Sequence, residues 1–156
     1  MKALKITAIT FLGIIIAVIL LFAGYEILGI FVNQHAADKQ EKALVGIMDA
    51  SDTELLDHYT FVGNSGGTGN HVDLLTLMIV KAEEKGVIEK TLEEAYEETG
   101  TFPLEYFTVT PLSLSKDSYD PYERFVDEMT IPEDMENCYL ISYCNSAPFV
   151  DNIMGH

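Results

Sequence analysis

Basic residues are scarce in this 156-residue chain: 9 Lys and Arg stand against 25 Asp and Glu, a formal net charge of −16. A surface with so much acid and no basic patch repels nucleic-acid phosphates and anionic headgroups, which excludes nucleic acid as a partner. Cysteine is scarce too, with two residues, Cys138 and Cys144, in "CYLISYC". If that segment is a strand, six steps of about 3.3 Å hold the two Cα atoms roughly 20 Å apart. A disulfide needs less than about 7 Å, so buried thiols on one strand face are expected. The metal motifs HExxH, CxxC and the EF-hand loop are absent, and the histidines are scattered at His35, His58, His71 and His156. Asp117, Asp120, Glu123 and Asp127 read as a solvated helix start rather than a Ca²⁺ site. No cofactor and no metal are expected. Internal repeats are absent as well, so the length fits one domain plus an appendage.

The appendage is a long run without charge, "ITAITFLGIIIAVILLFAGY", from Ile6 to Tyr25. As a helix rising about 1.5 Å per residue it spans roughly 30 Å, the thickness of a bilayer core. Glu26 then interrupts, expected near the headgroups with Tyr25 as an interfacial aromatic, and "ILGIFV" follows. The run is longer than a signal-peptide core and no small-x-small site precedes Asp38, which favours an uncleaved anchor. Residues 1–32 are thus read as a membrane anchor, with 6–32 the membrane-associated part. Lys2 and Lys5 before the span, against Lys39 and Lys42 after it, lean toward a cytoplasmic N-terminus and an extracytoplasmic C-terminal domain. Gly13 and Ala17 form a small-xxx-small pair that would allow a homodimer through the membrane helix. Beyond Val32 the chain keeps 24 acids and 7 bases, a charge that keeps such a domain soluble or suits a basic partner.

Residues 33–50 continue as a helical stalk or linker, with Ala43, Leu44, Ile47 and Met48 on one face. The acidic domain, 51–156, reads as α+β: an antiparallel or mixed sheet of about four strands with helices on one face. "ELLDHYTFVG" (54–63) is a strand, and the apolar "HVDLLTLMIVKA" (71–82) suits a strand covered on both faces. The two make a hairpin with a long, mobile loop. If Val62 lies opposite His71, then His58 lies opposite Leu75, too far along the strand for the two histidines to share a metal ion. "VIEKTLEEAYEE" (87–98) is a helix burying Ile88, Leu92, Ala95 and Tyr96 and stopped by Gly100. "LEYFTVTPLS" (104–113) alternates as a strand, "DPYERFVDEM" (120–129) is a short capped helix, and "ENCYLISYC" (136–144) is the last strand. The tail "NSAPFVDNIMGH" docks on the sheet.

The loop is "GNSGGTGNH", 63–71. Gly63 to Gly67 resemble the stretch around the nucleophilic serine of trypsin-like and HtrA-like proteases. The resemblance implies Ser65 as nucleophile, with the N–H groups of Gly63 and Ser65 as oxyanion donors. It departs at Thr68, where that family has proline, and the chain upstream leaves no room for the first barrel that carries the histidine and aspartate. A type IV pilin also joins an apolar N-terminal helix to an α+β head, but its glutamate stands near the start of the apolar run and here Glu26 stands at the far end. A phosphate loop needs a GK[ST] ending, and no Lys or Arg occurs from Tyr59 through Val80. A local hydrolytic arrangement would use Ser65 or Thr68 with His71 and Asp73, which share a strand face at i, i+2. Structurally, the glycines together with Asn64 and Asn70 suit the positive-φ conformations of a long hairpin loop.

Two functions from different classes follow. The first is a membrane-anchored, non-enzymatic extracytoplasmic domain binding a protein or envelope partner, of accessory or immunity type, with Asn64, Ser65, Thr68, Asn70 and His71 as the contact residues, since binding residues concentrate on loops held by a scaffold. No catalytic residue is assigned in it. The second is a small envelope enzyme using the glycine-rich loop and His71.

Overall fold

Helix α1 runs without interruption from Lys2 to Asp49 in the computed structural model, which describes the backbone of residues 2–65, 71–115 and 128–151. It is long and apolar enough to span a membrane, and it lies at the N-terminus. Its large apolar side chains from Ile9 to Phe22 stand exposed, as lipid-facing residues do. From Asn33 onward one face is buried instead. Asn33, Ala37, Gln40, Leu44 and Met48 recur at spacings of three and four, one stripe of a helix, and the last four pack on the sheet.

A turn at Ser51–Thr53 closes the helix: the Ser51 and Thr53 hydroxyls both donate to the Met48 carbonyl, at 2.7 and 3.2 Å. Strand β1 (Glu54–Gly63) then returns along α1 toward the span. His58 Nε2 reaches Glu41 Oε1 at 3.0 Å, and farther back Val62 packs with Ala36 and Ala37. The hairpin to β2 (Asp73–Lys81) therefore turns at the end of the sheet nearest the span. Its register pairs Gly63 with Asp73 and His58 with Met78. That is three residues away from the pairing expected of His58, and it carries His58 still farther from His71.

The four strands lie in the order β1–β2–β4–β3, all neighbours antiparallel, with β3 at Phe107–Pro111 and β4 at Cys138–Ser146. Helix α2 (Lys85–Thr99) carries the chain from β2 to β3, leaving a gap that β4 fills. Both long helices pack on one face, where Leu44 and Met48 of α1 and Ile88 and Leu92 of α2 meet Met78, Val80, Ile141 and Tyr143. The opposite face carries Leu75, Leu77, Ile79 and Leu140, covered by Leu112, Met129, Ile131 and Met135. Burial on both faces explains the near-continuous apolar text of β2. The fold is α+β, as its pattern of elements predicts.

Three local expectations change. Residues 104–106 form a 3-10 turn and a one-turn helix α3 (Leu112–Ser115) follows Pro111, so the third strand is shorter than 104–113. Tyr96 keeps 39% of its surface, whereas Ile88 and Leu92 are buried as expected. The tail reaches α1 as well as the sheet end, where Ala147 packs with Val72 and Leu74. The Phe149 N–H donates to Asn33 Oδ1 at 2.9 Å and Asn33 Nδ2 donates to the Phe149 carbonyl at 3.1 Å, while the Tyr25 and Phe149 rings lie 5.3 Å apart. The helix expected at 120–129 falls mainly outside the described residues. Gly100 ends α2 at φ 64 and donates to the Tyr96 carbonyl at 2.8 Å, the left-handed cap that glycine favours.

Candidate functional site at the base of the glycine-rich loop

Of the loop residues singled out in the sequence, Asn64, Ser65 and His71 are described; Thr68 and Asn70 lie outside the described residues. Ser65 and His71 meet at Asp73, the first residue of β2. The Ser65 hydroxyl donates to Asp73 Oδ2 at 2.6 Å, and the Ser65 N–H reaches the same oxygen at 3.3 Å. His71 Nε2 lies 3.3 Å from the other oxygen, Oδ1. Asp73 thus bridges the two arms of the loop where the chain leaves β1 and enters β2. Just before the loop Gly63 holds φ 150, a conformation that side chains disfavour.

Strand β4 adds two residues that no local pattern joins to the loop. Ser146 Oγ lies 3.1 Å from His71 Nε2, and Cys144 Sγ lies 3.7 Å from Ser65 Oγ. They arrive through the β2–β4 register, which sets Asp73 opposite Ser146 and Leu75 opposite Cys144. Register is a long-range property that no local spacing announces. Val72 ties the tail to the same place: its N–H donates to the Val150 carbonyl at 2.8 Å, and its carbonyl accepts from the Ala147 N–H at 2.9 Å.

The order of groups limits the chemistry. In a serine hydrolase the histidine stands between serine and carboxylate, takes the serine proton and is steadied by the acid. Here the carboxylate stands between them. Among the described residues no histidine nitrogen is placed to take the Ser65 proton, which points at the carboxylate. The Ser65 N–H, an oxyanion donor in the protease resemblance, is directed at Asp73 instead. What the cluster does well is hold: Ser65 is buried, and the His71 side chain keeps half its exposure at the rim.

Among the described residues no group of three or more His, Cys, Asp and Glu side chains could hold a metal ion. A cavity of about 580 Å³ lies remote from the loop, between Ala43, Gly46 and Ile47 of α1 and Val87, Thr91 and Ala95 of α2. It is an open groove whose lining also includes Ser51, Asp52, Lys90, Glu94 and Glu98. Cys138 and Cys144 are both free thiols on the extended strand β4. Burial pushes the Cys138 thiol up from its ordinary value, which keeps it protonated and unreactive.

No family model matches the chain, and neither a characterised protein nor a solved structure shows significant similarity to it. What the loop does has to follow from its own chemistry.

Proposed function

We propose that the chain is a single-pass, membrane-anchored binding protein without catalytic activity, of accessory or immunity type. Its C-terminal domain is extracytoplasmic and presents the hairpin loop to a protein partner at the membrane surface. The observation that carries this reading is the Asp73 bridge. It ties Ser65 and His71 together at the loop's base. A loop on a rigid base is where recognition residues concentrate, because ordering them on binding then costs less entropy. Asn64, Ser65, Thr68, Asn70 and His71 make up that contact set. The position of the hairpin, at the sheet end nearest the span, favours a partner close to the bilayer. The excess of acid favours a basic partner surface, with association that weakens as salt rises.

Site-specific photocrosslinking tests this. A photoreactive residue at Asn64 is expected to capture a protein partner in native membranes, and one at Glu94 on the outer face of α2 is not. Capture at Glu94 alone would move the interface to another face and remove the loop from the account.

The envelope-enzyme reading has one observation in its favour, the gathering of Ser65, His71 and Asp73 in one network. The double substitution Ser65→Ala, His71→Ala separates the two readings. An enzyme would lose its turnover with the fold intact; a binder would lose crosslinking at Asn64 and have no turnover to lose.

A further inference from the structure

The apolar surface of α1 does not stop at Tyr25. Ile27, Leu28 and Phe31 are 54%, 54% and 70% exposed, continuous with the exposed apolar side chains described from Ile9 onward. Over the same stretch the polar side of the helix is covered: Glu26 is 6% exposed and Asn33 is fully buried. This reverses the usual order at a membrane boundary, where apolar side chains turn to protein and acids to water. It is the order expected where lipid still surrounds the helix and protein shields its polar face.

The C-terminal tail lies on this side of the helix, over Asn33. Phe149 meets Tyr25 at a tilt and is clamped from both its N–H and its carbonyl by the Asn33 amide. Ala147 and Val150 give their own backbone groups to Val72. A non-helical segment tolerates a low-dielectric layer only when its backbone groups are paired in this way.

We propose that the acyl–headgroup boundary of the bilayer lies at Phe31, about six residues beyond Tyr25, and that the tail segment Ala147–Asp151 is seated in the interface beside α1, screening Glu26 from lipid. The occupant of the Ile27–Leu28–Phe31 face is bilayer lipid. Length agrees: twenty steps of about 1.5 Å back from Phe31 place the other boundary near Phe11, roughly 30 Å away. Lys2 and Lys5 precede that boundary in the sequence, on its far side from the domain. The inference rests on the anchor reading and adds the depth of the domain: its sheet sits on the membrane, with no free stalk below it.

Spin-label depth measurement on the full-length protein in lipid nanodiscs is the test, with Cys138 and Cys144 replaced by Ser and Ala and single cysteines at Ile19, Leu28, Phe31, Asp38 and Asp151. Oxygen collects in acyl chains and a polar nickel chelate in water. Labels at Ile19, Leu28 and Phe31 are expected to favour oxygen over the chelate by about tenfold relative to Asp38, with Asp151 intermediate. Aqueous readings at Leu28 and Phe31 with a lipid reading at Ile19 would overturn the depth and leave the anchor standing. An aqueous reading at Ile19 as well would overturn the anchor itself. Exclusion of both reagents at Phe31, with dipolar broadening between labels, would assign the face to a second copy and overturn the lipid occupant. The labelled positions other than Asp151 are on outward faces of α1, and retention of the wild-type thermal transition confirms that each variant folds.

Discussion

Tyr143 is the largest side chain that the core encloses completely among the described residues. Phe102 and Tyr106 meet it edge-on at 5.4 and 6.3 Å between ring centroids, and Phe107 lies 4.6 Å away at a tilt. Phe102 holds φ 60 to do so, an uncommon conformation for a bulky residue. Tyr143→Ala is expected to cost about 3–5 kcal/mol of unfolding free energy, as large-to-small changes in a packed core do. Burial pushes the Tyr143 hydroxyl above its ordinary value of 10.0. Its contribution is therefore fully present below that value and lost as pH rises through the higher folded value. Unfolding followed between pH 8 and 11 is expected to show a steeper alkaline loss for the wild type than for Tyr143→Phe. Asp57 has the opposite sign. It accepts from the Thr130 N–H at 2.6 Å and the His58 N–H at 2.8 Å, and the Thr130 bond in particular holds its carboxyl below the ordinary value of 3.8. Its contribution is present above that value and lost as pH falls through the folded one. Asp57→Asn is expected to lower stability by about 1 kcal/mol at neutral pH, with the gap closing in acid. Equal stability of the two proteins at neutral pH would show that the Thr130 bond carries no weight.

At the scale of elements, α1 is two helices in one. In its first part the large apolar side chains from Ile9 to Phe22 stand exposed, and its second carries polar residues on the packed face. Gln40 donates to the Leu74 carbonyl at 3.3 Å and to Thr76 Oγ1 at 3.0 Å, and Thr60 joins Thr76 at 3.3 Å, a polar ladder from α1 across β2 to β1. Asn33→Ala is expected to free Phe149 and speed exchange of its amide about tenfold, while exchange in β2 stays unchanged. Gln40→Leu leaves the Leu74 carbonyl short of a partner and is expected to cost about 1–3 kcal/mol. The strands were legible because alternation and turn residues are local signals: β1 runs from Glu54 to Gly63 as its text suggests. The meeting of Ser65, His71 and Asp73 was half-legible, through the two-residue spacing of His71 and Asp73. The parts contributed by Ser146, Cys144 and the tail were not, because they depend on strand order and on contacts such as Asn33 with Phe149, 116 residues apart. The sequence does carry a weak trace of the docked face, since Glu26, Asn33 and Gln40 recur every seven residues on one side of α1. A polar stripe in an apolar setting signals a covered surface, though not what covers it.

At the scale of the whole molecule, charge and anchor divide the chain. The acids concentrate in the domain, where Glu89, Glu93, Glu94, Glu97 and Glu98 stand exposed on α2 with Lys85–Glu89 and Lys90–Glu94 pairs at 2.9 and 3.6 Å. Exposed pairs of this kind add little stability, so the excess charge acts on solubility and on the choice of partner. The thiols fit either side of a membrane, because β4 keeps them apart while the fold is intact. Intact-mass analysis after alkylation in denaturant is expected to show two modified cysteines, and a mass two protons lighter with no alkylation would contradict the strand. The side on which the domain stands decides which partners it can meet. Its most direct measurement is a pair of fusions after His156, alkaline phosphatase and GFP, compared in a bacterial host. Active phosphatase with dark GFP is the predicted result and places the domain outside the cytoplasm. Bright GFP with silent phosphatase would contradict it and turn the search to cytoplasmic partners at the membrane.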